Sequence, residues 1–200
     1  MRRDGKQTAK TVDSFLRPVA VVGRLISFEH ESGYLSGASA WEEWTYETRD
    51  SDKPQLPLTL TDLFSEQTIL EGLQTNEIVA AEVKRGLDRR EIETPPATLK
   101  DLSAFLSQWG KGRFDSAFTL DENYLSGFAV DRLDGDKVVV RISLSPSSHA
   151  AQAVHGYLEV RLPIPPNLDQ PLRDAASGRA GFLMPQTEVT VGLGYAAFRS

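Results

Sequence analysis

The chain has 200 residues, 40% of them hydrophobic and 25% charged, and a formal net charge of −6. That balance suits one compact core or two small modules sharing one, and an excess of acid with scattered bases argues against binding to nucleic acid phosphates. Without cysteine there is no disulfide framework, thiolate nucleophile, zinc ribbon or iron–sulfur site. No apolar run reaches the ~20 residues that span a bilayer, and the basic start leads into no apolar h-region, so a cytoplasmic address is expected.

The first predicted element is a short helix over Thr8–Leu16, with Val12, Phe15 and Leu16 on one side, ended by Pro18. Val19–Phe28 reads as a strand, His30-Glu31-Ser32-Gly33 as a turn, and Tyr34–Arg49 as a long strand bent at Gly37. Leu56–Leu60 is a short strand, and Thr61 or Asp62 caps a helix running to about Leu73. Glu77–Arg85 is compatible with helix but is assigned as strand from its match to a later segment. Thr94-Pro95-Pro96 marks a boundary, and helix Ala97–Trp109 follows with Leu99, Leu102, Phe105, Leu106 and Trp109 on one stripe. Strands are predicted at Arg113–Thr119 and Tyr124–Arg132, then a tight turn at Asp134-Gly135. Alternation predicts strands over Lys137–Leu144 and Tyr157–Leu162, with a loop at Ser145–Gln152 between them. A short helix at Leu168–Ala176 closed by Gly178 and a last strand at Glu188–Phe198 complete the chain.

Two stretches repeat one pattern. Lys10, Val12, Phe15-Leu16, Gly23-Arg24 and Tyr34-Leu35-Ser36-Gly37 recur as Lys100, Leu102, Phe105-Leu106, Gly112-Arg113 and Tyr124-Leu125-Ser126-Gly127. The match suggests duplication, with repeats at 1–93 and 94–200 that can form one compact domain. The fold class expected is α+β, mostly antiparallel sheet with short flanking helices, in two tandem helix–strands–helix–strand units.

No catalytic or cofactor motif stands out. There is no Gly-x-Ser-x-Gly elbow. His30, His149 and His155 could serve a triad assembled in space, but each lies in polar loop-like sequence where solvated histidines are common. On a strand, His30 faces away from Glu29 and Glu31, which works against a shared metal ion. Asp131, Asp134 and Asp136 lack a calcium-loop pattern and read as turn formers. Gly110-Lys111-Gly112-Arg113 follows a helix instead of opening one, so it is no phosphate loop. Accordingly, no catalytic residue, metal or cofactor is assigned.

The segment Ala38–Arg49 carries the clearest functional signal. As a strand it places Ala40, Glu42, Trp44, Tyr46 and Thr48 on one face, and Trp41, Glu43, Thr45, Glu47 and Arg49 on the other. A tryptophan ringed by carboxylates resembles an interface anchor, so Trp41, Glu43 and Glu47 are the candidate partner-binding residues. The function expected is a non-enzymatic protein-binding module: an inhibitor, an immunity-type neutraliser or an adaptor for a basic partner. One alternative is a small-molecule-binding protein or hydrolase with a pocket between the repeats, lined by His149, His155 or Tyr157. Another is an assembly subunit that pairs through strand edges.

Overall fold

The computed structural model describes residues 10–36, 39–107, 118–120, 123–146, 155–185 and 194–196, without side-chain placement at 10–12, 35–36, 39–42, 155 and 194–196. It has the expected α+β class with antiparallel sheets. The first sheet contains β1 (Lys10–Val22), β2 (Leu25–Ser36) and β3 (Ser39–Asp50) in that order.

The helix predicted over Thr8–Leu16 is instead the first half of β1, apart from residues 8–9, which lie outside the described residues. Its apolar spacing is no core stripe, since Phe15 is 62% exposed, and the backbone is satisfied by pairing with β2. Pro18 is tolerated because β1 is an edge strand, and a bulge falls between Pro18 and Ala20. The single strand predicted over Val19–Phe28 turns at Gly23, whose φ of 57° glycine adopts readily. The turn predicted at His30–Gly33 lies within β2. The long strand predicted from Tyr34 is divided between β2 and β3, with Ser36 opposite Ser39.

Next come the helices. The strand predicted at Leu56–Leu60 reduces to one bridge, Arg49 to Pro57, before a 3-10 turn at Leu60–Asp62. Helix α1 (Glu66–Thr75) starts at Ser65, whose hydroxyl accepts from the Thr68 amide, and not at Thr61 or Asp62. Glu77–Arg85 is helix α2 (Glu77–Asp88), not a strand. The Asn76 side chain accepts from the Ile78 and Val79 amides, and Val79, Glu82 and Gly86 fall on one buried face at helical spacing. Thr98 caps α3 (Leu99–Leu106), which buries Leu99, Leu102, Phe105 and Leu106 as expected; Trp109 lies outside the described residues.

The second sheet is built on β6 (Lys137–Pro146), flanked along most of its length by β5 (Phe128–Asp134) and β7 (His155–Pro163). Strand β4 (Phe118–Leu120) joins the far end of β6, and β8 (Gly194–Ala196) pairs with β7. The Asp134-Gly135 turn joins β5 to β6 as predicted. The strand predicted from Tyr124 begins only at Phe128, because the Ser126 and Gly127 amides bond the Asn123 carbonyl in a turn. Helix α4 (Asp169–Ala176) matches expectation, and only 194–196 of the last predicted strand are described.

Alternation gives β6 and β7 two distinct faces. Val140, Ile142, Leu158, Val160 and Leu162 join α1 and α3 in the main core, which also holds Val22, Leu25 and Leu60 of the first half. On the other face Tyr157 packs with Tyr46 of β3, Val19, Ala129 and Met184. The two best-matched repeat blocks fold differently: Lys10–Leu16 is strand, whereas Lys100–Leu106 is helix. Three strands then two helices make up the described first half, not the helix–strands–helix–strand order expected.

The first sheet is joined to β5 by two buried hydroxyls. Ser27 and Thr48 are cross-strand partners 2.9 Å apart. The Val130 amide donates to Ser27 Oγ at 3.0 Å, and Thr48 Oγ1 donates to the Phe128 carbonyl at 2.9 Å. Each hydroxyl has one proton, so Ser27 donates to Thr48 and the four groups form one chain. Side chains thereby satisfy the β5 edge that another strand would otherwise cover. Ser27→Ala is expected to cost about 2 kcal/mol in urea unfolding, because the Val130 amide loses its acceptor in a buried setting. In a double-variant cycle Thr48→Val should add less than its separate loss; full additivity would contradict a coupled chain.

Candidate functional site

Strand β3 has the two faces its sequence predicts. Trp44, Tyr46 and Thr48 are buried, while Glu43 is exposed and Thr45, Glu47 and Arg49 are part-exposed. Trp41 pairs in register with Tyr34, but its side chain lies outside the described residues. Of the three candidate partner-binding residues, Glu43 and Glu47 come together at one feature.

That feature is a cleft of about 320 Å³ along β3. Residues Glu43 to Glu47 form one wall; the turn at Asn123–Gly127, the end of β6 and Pro57 form the rest. The Tyr46 amide donates to Ser143 Oγ at 2.7 Å and ties β3 to β6 at this point. Burial, then the nearby Glu66 charge, pushes the Tyr124 phenol up to about 12, so it is a neutral hydrogen-bonding group at neutral pH. Among the described residues the lining contains two carboxylates and no lysine, arginine or histidine. Glu47 is paired with Arg49 Nη2 at 2.7 Å. Arg49 also donates to the Pro54 carbonyl at 2.9 Å and sits 5.9 Å from the Phe28 ring centroid. Glu43 has no ion pair among the described residues.

Behind β3 lies an ionic cluster that sequence reasoning missed. A bulge between Val130 and Arg132 leaves Asp131 fully buried, so it is not the turn former expected. Arg132 contacts one Asp131 oxygen and reaches Glu159 Oε2 at 2.7 Å. Arg141 Nη2 lies 3.3 Å from the other Asp131 oxygen. The Arg141 guanidinium sits 4.4 Å from the Tyr157 ring centroid and donates to the Tyr46 hydroxyl at 3.4 Å. Tyr157 meets Tyr46 edge-on at 6.2 Å.

Two guanidiniums and two carboxylates make the cluster formally neutral. Burial raises the Asp131 carboxyl above its ordinary value, against the pull of Arg141 and Arg132. Burial also works against Glu159, but its bond to Arg132 and that charge outweigh it and hold the group low. For Arg141 burial opposes the charge, and Tyr46 and Asp131 more than restore it. The arrangement braces two sheets. A signal was present in the sequence: Asp131-Arg132 interrupts an apolar strand, and Arg141 and Glu159 stand at cross-strand positions.

Among the described residues suggested for enzymatic chemistry, neither His30 nor Tyr157 lines the cleft. His30 lies in β2, with the Ser14 and Ser32 hydroxyls 2.7 and 3.1 Å from its Nε2. His149 and the His155 side chain lie outside the described residues, and Tyr157 lies beneath Arg141. Among the described residues no group of three potential metal ligands gathers, and no helix is long and apolar enough to cross a membrane. No protein-family model and no curated protein sequence matches the chain.

Proposed function

We propose that the protein is a non-enzymatic binding module that docks a partner protein on the cleft and outer face of β3. The observation that supports this most is the meeting of Glu43 and Glu47 at a cleft whose lining, among the described residues, holds no cation. Polar side chains such as Asn123, Ser126 and Ser145 line the cleft beside the carboxylates, which set orientation and partner charge. An inhibitor, a neutraliser and an adaptor all use such a surface. The cytoplasm remains the proposed compartment, and the partner is proposed to be basic.

The test is a photo-cross-linking side chain placed at Glu43, with a control at the exposed Arg173 of α4, in lysate of the source cells. A discrete protein adduct from position 43 and none from position 173 is expected. The same adducts from both positions, or none from position 43, would overturn the reading.

A further inference from the structure

The cleft has a length and a charge pattern as well as a sign. Glu43 and Glu47 share the outer face of β3, four residues apart, which on an extended strand is about 13 Å. Between them the cleft is bordered by β3 on one side and by Asn123, Ser126 and the end of β6 on the other. Among the described residues Glu43 has no ion pair, whereas Glu47 already shares its charge with Arg49. Two carboxylates at that spacing beside a cleft fit a partner of matching repeat. An extended chain also places every fourth side chain on one face about 13 Å apart.

We propose, resting on the docking reading above, that the cleft receives an extended basic segment of the partner, with cationic side chains four residues apart opposite Glu43 and Glu47. Arginine fits better than lysine, because its planar guanidinium forks onto a carboxylate. The cation at Glu43 contributes more than the one at Glu47, where Arg49 competes for the same carboxylate.

The test is an amide-shift titration of the isotope-labelled full chain with the peptide acetyl-Arg-Ser-Thr-Ser-Arg-amide. Shifts are expected at 43–47 and 123–127, with weaker binding as salt rises from about 50 to about 300 mM. Glu43→Gln/Glu47→Gln should weaken binding about tenfold, with Glu43→Gln carrying the larger share. The glutamate-ended counterpart should give no shifts. Shifts elsewhere, unchanged affinity in the double variant, or equal binding of free arginine amide would overturn the extended basic segment. If the peptide response is absent while the position-43 adduct persists, docking stands and only the basic segment is lost. Loss of both removes both.

Discussion

Arg141→Met is expected to destabilise the protein by about 3 kcal/mol at neutral pH, because it strips one of two guanidiniums from a fully buried carboxylate. Methionine replaces much of the volume over the Tyr157 ring, so the loss reads the charge more than a cavity. The deficit should also depend on pH, with a definite sign. Burial already raises Asp131 above its ordinary value, and removing Arg141 raises it further. A carboxyl whose folded pKa exceeds its unfolded one favours the fold below that window and loses the contribution as pH rises through the folded value. The variant therefore gains more than wild type on acidification, and the gap between them narrows from neutral pH to about pH 5. Glu159, held low by Arg132, stays ionised over this range and does not blur the reading. Urea unfolding at the two pH values measures it; a deficit independent of pH contradicts an ionised Asp131 as the source. Adding Asp131→Asn to Arg141→Met should recover part of the loss by removing the uncompensated charge.

Gly181→Ala is expected to cost about 3 kcal/mol. Gly181 has φ of +83°, and an added Cβ would run into the Val21 carbonyl oxygen. That oxygen accepts from the Phe182 amide at 3.0 Å, while the Val21 amide donates to Phe182 at 2.7 Å. Two residues on, the Met184 amide donates to the Asp131 carbonyl at 3.1 Å. Residues 181–184 thus link the end of β1 to the β5 bulge, and backbone atoms cannot move aside as a flexible side chain could. Gly178→Ala is the control: its φ is +69° and no atom lies within 4 Å of a Cβ there, so only about 1 kcal/mol of left-handed strain is expected. Equal unfolding losses for the two variants would show that the Val21 contact is immaterial.

The parts of the fold readable from sequence were those in which side chains and backbone ask for the same thing. Val138 to Ile142 and Leu158 to Leu162 alternate because one face meets the helices, and Leu99 to Leu106 has the stripe of a helix laid on a core. Phe15 and Leu16 mislead because they are exposed, so their spacing records no burial. Glu77–Arg85 was misread by trusting a repeat over the cap at Asn76, although that asparagine just ahead of a helix-compatible run was visible. The faces of β3 were legible from period two alone. The cleft was not, because its opposite wall comes from 123–127 and 143–146, some eighty to a hundred residues away. Asp131 was harder to place: the charged pair Asp131-Arg132 interrupts an apolar strand, but the bulge that turns Asp131 inward shifts side-chain direction by one residue.

Occupation of the cleft between Glu43 and Glu47 by the partner is open to a competition experiment. The position-43 photo-adduct is formed in the presence of excess acetyl-Arg-Ser-Thr-Ser-Arg-amide or of its glutamate-ended counterpart. The arginine peptide should abolish the adduct and the glutamate peptide leave it intact. An adduct that persists while the arginine peptide fills the cleft would place the partner elsewhere and contradict that occupation.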